Sequence, residues 1–379
     1  MKNSYSCVNP IALAVAFLML TAMSPVLAQD TTTDRAMIER IHQVCERAFP
    51  ADEPGAAVIA VLDGKVVFRR AYGKASLELD VAMRPEMVFC LASVTKTITA
   101  TAVMALVEDG KLSLTDPAAK YLPDLSLDKR IQIQHLLSHT SGIPDYPDIP
   151  GFGMDHIWAE ITSDELVKGV RGQELKFEPG SKFGYSNTNY ALLAKLVEIA
   201  SDASWEDFVT QRIFEPAGMK HSRYGGHDRV IPGAVIGYAK EGEKWKRSRA
   251  LSYSRGYGLG GIFSSVDDLV AFDASLRKGK ILKKETRARM YEPFTLTDGT
   301  KSPYALGWGS RTDSGRLVVS HGGAIFGWNT QFTRVPDSGI VVAVLTNREP
   351  SKDNPRAVGQ LAGKISLEVS KGLEAHQKD

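Results

Sequence analysis

The sequence predicts an α+β fold in which one sheet domain is assembled from both ends of the chain and a helical subdomain is inserted between them. Strand patterns stand near both ends, helix patterns and irregular connections fill the middle, and a long apolar helix follows the first strands. We therefore assign residues 29–110 and 250–379 to the sheet domain and residues 111–249 to the helical subdomain.

The amino-terminal elements are a helix and a hairpin. Residues 33–49 have a helical pattern, and the apolar strands Ala56–Leu62 and Lys65–Tyr72 are separated only by Asp63 and Gly64. An Asp-Gly pair between two such runs is a strong hairpin signal, because both residues tolerate the positive φ that a tight turn requires. This hairpin is the first part of the predicted sheet.

The chain is organised around residues 89–110, where a helix is predicted over residues 94–108. That stretch contains neither Gly nor Pro, is followed by an Asp-Gly stop, and has apolar side chains all round, so we expect a buried helix. Ser93 and Lys96 stand at its start, three positions apart and therefore on one face. Burial would lower the pKa of Lys96 and provide the neutral amine that a serine nucleophile needs as its base.

Two other Ser-x-x-Lys pairs are expected at the surface. Ser126 and Lys129 lie in a polar connection, and Ser275 and Lys278 lie where a helix runs out. Only Ser93 precedes a long apolar helix, so it is the candidate nucleophile.

The remaining predicted elements follow the order that the fold class requires. Helices are predicted at residues 131–138, 163–170, 188–200 and 205–213, at Val266–Arg277, and within residues 354–372. Strands are predicted at residues 306–311, 316–320 and 329–335 and at Ile340–Thr346.

The amino terminus indicates export. Lys2 precedes an apolar stretch at residues 11–20, which is short of the roughly 20 residues that span a bilayer, and Ala28 ends a small-residue cleavage pattern. We expect residues 1–28 to be a signal peptide, so that the mature protein is periplasmic or secreted and has no stable membrane insertion. Cys45 and Cys90 remain after cleavage, and the sequence leaves open whether they form a disulfide or two buried free thiols.

Composition and three other patterns limit the function classes. A net charge of +2 gives no strong field for nucleic acid. The G-x-G-x-x-G pattern at residues 256–261 follows polar and basic residues rather than a strand, which argues against a dinucleotide site. His135 and His139 are expected on one helix face but have no third ligand, so no metal site is predicted. G-x-S-x-G does not occur, which argues against an α/β-hydrolase.

Two further segments strengthen the case for Ser93. Tyr185 and Asn187 stand in a Tyr-x-Asn pattern before a helix, where a phenol beside a lysine is stabilised as phenolate and the amide can hold both the lysine and a substrate. The His-Gly-Gly-Ala segment at residues 321–324 follows a predicted strand, and its glycines let a substrate approach the backbone. Ordinary turn chemistry is the alternative for either segment taken alone.

Together these motifs resemble the serine β-lactamase and penicillin-binding-protein superfamily. The superfamily combines Ser-x-x-Lys with two companion motifs, which here are SVTK at 93–96, YSN at 185–187 and HGG at 321–323. The resemblance covers residues 35–350 and is closest to the class C β-lactamase branch, with its D-alanyl-D-alanine carboxypeptidases, D-aminopeptidases and esterases. It implies a β-lactamase/transpeptidase-like fold, an antiparallel sheet flanked by amino- and carboxy-terminal helices.

The resemblance also implies an acyl-enzyme mechanism without a metal or organic cofactor. Ser93 would attack the substrate carbonyl, and Lys96 and Tyr185 would take its proton and pass it on. Asn187 would orient Lys96 and the substrate. The backbone N–H groups of Ser93 and Ala324 would form the oxyanion hole.

His321 and Gly323 complete the predicted substrate-binding residues, together with Asn187 and Ala324. His321 departs from penicillin-active relatives, which have a lysine there, and a histidine is mostly neutral at pH 7. The sequence therefore predicts an exported serine hydrolase acting on small esters, D-amino-acid peptides or β-lactams. The alternative is a penicillin-binding cell-wall sensor or D,D-carboxypeptidase that acylates with little turnover. The expected partner is a small-molecule or short-peptide substrate, and the oligomeric state stays open.

Overall fold

The computed structural model describes residues 32–153, 156–226, 229–249 and 252–376, and the predicted signal peptide lies outside these ranges. The described residues form the predicted α+β fold, an antiparallel sheet with helices on both faces.

The described elements are given first by their bounds. The strands are β1 Ala56–Leu62, β2 Lys65–Tyr72, β3 Lys74–Ser76, β4 Val81–Ala82, β5 Phe89–Cys90, β6 Arg223–Tyr224, β7 Tyr238–Glu241, β8 Lys244–Arg247, β9 Ile262–Ser264, β10 Gly309–Asp313, β11 Arg316–Ile325, β12 Trp328–Val335 and β13 Ile340–Thr346. The helices are α1 Thr32–Ala48, α2 Thr95–Glu108, α3 Ile133–Leu137, α4 Ser163–Lys168, α5 Asn187–Ser201, α6 Trp205–Val209, α7 Glu215–Ala217, α8 Val266–Arg277, α9 Lys284–Tyr291 and α10 Ala357–His376.

The main sheet takes its strands from both ends of the chain. Its order is β10-β11-β12-β13-β1-β2, and each neighbouring pair is antiparallel. The predicted hairpin joins β1 to β2, with positive φ at both Asp63 and Gly64. All six strands fall within the two ranges assigned to the sheet domain, while the division of the chain into two domains stays a prediction.

Both faces of the sheet are covered, which explains why β1 and β13 are apolar at nearly every position. On one face, Val58 and Val342 belong to a core that includes residues of α1 and α10. On the other face, Ile59 and Ala343 belong to a larger core that contains most of α2 and α5. Because successive side chains of a strand point to opposite faces, a single apolar strand serves both cores.

The prediction that β11 ends at residue 320 was wrong. The strand continues to Ile325, so the His-Gly-Gly-Ala segment lies inside it and pairs with β12 from His321↔Phe332 to Ala324↔Asn329. Pairing with β12 gives the backbone of the two glycines hydrogen-bond partners that it would otherwise lack. β10 pairs with β11 only as far as Gly309↔Ser320.

The predicted helix over residues 94–108 is confirmed as α2, which is almost entirely buried. The prediction that His135 and His139 share a helix face was wrong. Helix α3 ends at Leu137, and His139 lies beyond it with φ 56°. Within the described ranges, no group of three or more His, Cys, Asp or Glu residues is arranged to hold a metal ion.

Cys45 and Cys90 are buried free thiols that lie in different cores. Among the helices of the described residues, none combines the length and the apolar character that a membrane span requires.

Candidate active site

Ser93 lies in a 3-10 turn, Ala92–Val94, directly before α2. Ala92 has φ 47°, a conformation that is costly for a residue with a side chain and that concentrates at functional sites. The turn is held by its neighbour Leu91, whose N–H donates to Ile262 O at 2.8 Å and whose carbonyl accepts from Thr330 Oγ1 at 2.8 Å. Strands β9 and β12 therefore hold the residue that leads into the strained turn.

Lys96 is fully buried in the first turn of α2, and its ammonium has three acceptors. Lys96 Nζ lies 3.1 Å from Ser93 Oγ, 2.8 Å from Asn187 Oδ1 and 2.8 Å from the Leu259 carbonyl oxygen. Burial lowers the pKa of Lys96 to about 7, and the negative charge of Asp145 opposes part of that shift. At neutral pH the amine is thus available in both its charged and its neutral form.

Asn187 connects Lys96 to Asp145. The Asn187 side chain donates from Nδ2 to Asp145 Oδ2 at 3.0 Å, and its backbone N–H donates to Asp145 Oδ1 at 2.6 Å. Because Nδ2 faces the carboxylate, the amide oxygen is the atom that faces Lys96. Burial raises the pKa of Asp145, and the bonds from Asn187 offset part of the rise.

Tyr185 lies over Lys96, whose Nζ is 5.1 Å from the centroid of the phenol ring. Tyr185 is partly exposed as a whole, but desolvation raises the pKa of its hydroxyl group, and a hydrogen bond with Ser93 offsets only part of the rise. The expected phenolate is therefore disfavoured in the resting protein. Lys96, with its lowered pKa, is the better proton acceptor at neutral pH.

His321 is buried in β11 with both ring nitrogens occupied. Nδ1 lies 2.7 Å from the Gly322 carbonyl oxygen, and Nε2 lies 2.7 Å from the Tyr304 hydroxyl. A carbonyl can only accept, so Nδ1 carries the proton and Nε2 accepts from Tyr304. Burial, with the nearby Lys96 charge, lowers the pKa of His321 to about 3, which keeps the ring neutral.

His139 packs against the ring of Tyr185. The two ring centroids are 4.2 Å apart, and His139 also contacts the rings of Tyr190 and Tyr304. The Ser186 N–H donates to His139 Nδ1 at 3.2 Å, so the proton is on Nε2. Burial holds the pKa of His139 well below its usual range, so His139 is neutral where it packs among these three aromatic rings.

A cavity of about 1080 Å³ opens above these groups. It brings together the predicted residues, except the buried Lys96 beneath it: Ser93, Tyr185, Asn187, His321, Gly323 and Ala324. Apolar and aromatic residues, among them Tyr146, Ile157 and Phe326, also line the cavity.

Gly323 is required where β11 meets the Ser93 turn. A Cβ atom on Gly323 would lie 2.3 Å from both the Leu91 carbonyl oxygen and Thr330 Oγ1, and 3.0 Å from Ala92 Cβ. Contacts below 3 Å do not occur without displacement, so a glycine is needed for β11 to pack directly against the turn.

Sequence reasoning missed three groups of this site: the Asp145 carboxylate, the Leu259 carbonyl and the Tyr304 hydroxyl. Leu259 lies within the Gly-rich segment at residues 256–261, which follows a 3-10 turn rather than a strand. Asp145 lies three residues after the HTSG segment at residues 139–142, and no motif in the sequence analysis includes it. No pattern in the sequence marks Tyr304.

Comparison with known proteins supports the resemblance. The family described as Beta-lactamase matches residues 43–363. A Bacillus subtilis (strain 168) protein named as a penicillin-binding protein, PbpX, is 30% identical over 82% of this chain and 74% of its own length. A D-aminopeptidase of Gluconobacter oxydans (strain 621H) is 27% identical over 82% of this chain, which spans only 59% of that enzyme.

Solved structures have the same fold. The octameric penicillin-binding protein homologue from Pyrococcus abyssi has a TM-score of 0.73 and 27% identity, over 89% of this chain and 78% of that chain. EstCE1, a hydrolase with promiscuous acyltransferase activity, has a TM-score of 0.75 over 89% of this chain and 100% of that chain. Its identity of 22% supports a likeness of fold alone.

Proposed function

Because this chain belongs to the β-lactamase family of serine hydrolases, we propose that it is an exported hydrolase that forms an acyl-enzyme on Ser93. The proposed substrates are small neutral esters and those D-amino-acid peptides that bind without a carboxylate at His321, and it hydrolyses them faster than β-lactams. The observation that carries the proposal is the buried Lys96 amine, 3.1 Å from Ser93 Oγ and with a pKa of about 7. Relatives named D-aminopeptidase and penicillin-binding protein support this choice of chemistry.

Acylation begins with neutral Lys96. Its lone pair takes the Ser93 proton as Oγ forms a bond to the substrate carbonyl carbon. The oxyanion that develops is stabilised by the backbone N–H groups of Ser93 and Ala324. Tyr185, a neutral phenol hydrogen-bonded with Ser93, donates its proton to the leaving alkoxide or amine and is reprotonated from Lys96.

Deacylation reverses the same proton path. A water molecule enters from the cavity, gives a proton to the Tyr185 and Lys96 pair, and attacks the acyl carbon. The Ser93 oxygen leaves and regains its proton, and the carboxylic acid product is released. Lys96 returns to its starting state, so one pair of residues serves both half-reactions.

The preference for neutral substrates follows from His321. A cation at this position of β11 would attract a substrate carboxylate, but the His321 ring is neutral and both of its nitrogens are engaged within the protein. The substrate carboxylate of a β-lactam therefore gains no charge-assisted hydrogen bond there, a bond that is about twice as strong as a neutral one.

The test is intact-protein mass spectrometry with a fluorophosphonate or penicillin, together with turnover of p-nitrophenyl acetate and nitrocefin. Expected results are a covalent adduct that disappears in Ser93→Ala and faster turnover of the ester than of nitrocefin. Ser126→Ala, in the surface Ser-x-x-Lys pair, is the matched control and keeps both adduct and activity. A persistent penicillin adduct with little turnover would favour a penicillin-binding sensor, and a folded protein without any adduct would refute the catalytic assignment.

A further inference from the structure

Asp145 does not cap the 3-10 turn that it precedes. It stands at the N-cap of the 3-10 turn Tyr146–Asp148 but makes no side-chain capping bond to that turn. Both carboxylate oxygens instead accept from Asn187, at 2.6 Å from the backbone N–H and 3.0 Å from Nδ2. A carboxylate that gives both oxygens to one residue restricts the orientation of that residue's side chain.

The position of Asn187 makes this restriction matter for the reacting groups. Asn187 begins α5, and Ser186 before it makes no capping bond, because its hydroxyl donates to Pro144 O. With Nδ2 held by Asp145, the amide oxygen is left to accept from Lys96 Nζ at 2.8 Å. A continuous chain of hydrogen bonds therefore runs from Asp145 through Asn187 and Lys96 to Ser93 Oγ.

Asp145 is also the negative charge that faces Lys96 in the described part of the chain. The other titratable groups around the amine are His139, His321, Tyr185 and Tyr190. Burial keeps the two histidines neutral by lowering their pKa values and keeps the two phenols neutral by raising theirs. The ammonium form of Lys96, which must exist transiently if the amine is the base, thus has one carboxylate to stabilise it.

We propose that Asp145 is a positioning residue of the Ser93 centre, which fixes the Asn187 amide oxygen toward Lys96 and so holds the lysine against the nucleophile. The inference rests on the proposed acyl-enzyme function. A simpler role is also open to test, namely that Asp145 only caps the amino terminus of α5 from outside the helix, where a negative charge is favourable. The two roles differ in whether removal of the charge changes Lys96.

The Asp145→Asn variant separates them. An asparagine there can still accept from the Asn187 backbone N–H, but its own NH₂ group would face Asn187 Nδ2, donor against donor. One of the two amides must turn. Lys96 loses the anion behind it in either case, and it also loses its Oδ1 acceptor if the Asn187 amide is the one that turns. We expect the acid limb of kcat/KM for p-nitrophenyl acetate to move to lower pH by about one unit, since loss of a nearby opposite charge lowers a lysine pKa.

The expected loss of kcat/KM at the plateau is about 10- to 100-fold, because a buried polar group is left unsatisfied. Rates are taken per active site, titrated with a fluorophosphonate. Asp148→Asn is the matched control, because Asp148 lies three positions away, pairs with Lys176 at the surface and does not contact Asn187. Its pH profile is expected to equal that of the wild type.

A double-mutant cycle tests whether Asp145 acts through Asn187. If it does, Asp145→Asn combined with Asn187→Ala loses no more activity than Asn187→Ala alone. Losses that multiply, or an unshifted acid limb in folded Asp145→Asn, would overturn the proposal and leave only the capping role. Should Asp145→Asn not fold, Asp145→Ser keeps an oxygen that can cap α5 without charge and is read in the same way.

The same experiment distinguishes this inference from the function on which it rests. If wild-type protein is not labelled on Ser93, or if Ser93→Ala retains turnover, the proposed function fails. If wild-type Ser93 is labelled and Asp145→Asn has the wild-type pH profile, only the role of Asp145 fails.

Discussion

Replacing Lys96 with methionine is expected to remove activity and, at the same time, a pH-dependent cost in stability. The amine is fully buried, and burial lowers its pKa from 10.5 to about 7. Between these two pH values the unfolded chain binds a proton that the folded protein does not, so folding stability rises with pH across this window. Methionine has a similar length and no proton to lose, so it removes this dependence.

The magnitude follows from the two pKa values, with each unit worth about 1.36 kcal/mol. At pH 7 the buried lysine costs about 4 kcal/mol relative to an exposed one, and at pH 9 it costs about 2 kcal/mol. Methionine also leaves Asn187 Oδ1 and the Leu259 carbonyl without their donor, at about 1–3 kcal/mol each. That second cost is the same at both pH values. Between pH 7 and pH 9 the wild type is therefore expected to gain about 2 kcal/mol of unfolding free energy relative to Lys96→Met.

Urea unfolding of both proteins at the two pH values measures this shift, and p-nitrophenyl acetate turnover measures the loss of activity. Turnover is expected to fall by about a thousandfold, within the range for loss of a general base. Lys129→Met, at the exposed lysine of another Ser-x-x-Lys pair, is the control, because its ammonium is in water in both the folded and the unfolded protein. A difference between Lys96→Met and wild type that does not change with pH would refute the argument that Lys96 is the neutral base.

Three further predictions concern neighbouring parts of the structure. His321→Lys is expected to raise nitrocefin turnover relative to p-nitrophenyl acetate by adding a cation near the substrate, and an unchanged ratio would count against the charge argument. Gly323→Ala, whose Cβ would lie 2.3 Å from the Leu91 carbonyl oxygen, is expected to displace the Ser93 turn and lose ester turnover together with about 1–3 kcal/mol of stability by urea unfolding. Asp273→Asn leaves the buried Arg334 without its 2.6 Å ion pair and is expected to cost about 3–5 kcal/mol by the same measurement, with the pH profile of any remaining activity unchanged.

The Ser93 and Lys96 pair could be predicted from the sequence because the two residues are close together in the chain. Ser93 and Lys96 are separated by one helical turn, and helix α2 follows from an uninterrupted apolar run. The contact between their side chains, at 3.1 Å, joins the first turn of that helix to the 3-10 turn directly before it. The assignment of catalytic roles to these residues stays a prediction until Ser93 is labelled.

The contacts made across the chain could not be predicted in this way. Asp145 and Asn187 are 42 positions apart, and Leu259 reaches Lys96 across 163 positions. Each of these hydrogen bonds forms because distant elements of the chain pack against each other. A periodic pattern in the sequence predicts single elements but not which elements pack together. The end of β11 was missed for a related reason, since two glycines normally weaken a strand unless a partner such as β12 supports them.

The sequence predicts a neutral His321 at pH 7, and the structure adds a second reason for that neutrality. A neutral histidine was expected at pH 7 from its ordinary pKa alone, which would make it a cation in mild acid. In the structure, Tyr304 donates to Nε2 and the Gly322 carbonyl accepts from Nδ1, so the ring has no free nitrogen on which to accept a proton or bind a substrate. Its pKa of about 3 means that mild acid does not create the missing charge. The lack of a cation at this position therefore depends on the Tyr304 contact as well as on the histidine that stands where penicillin-active relatives have a lysine.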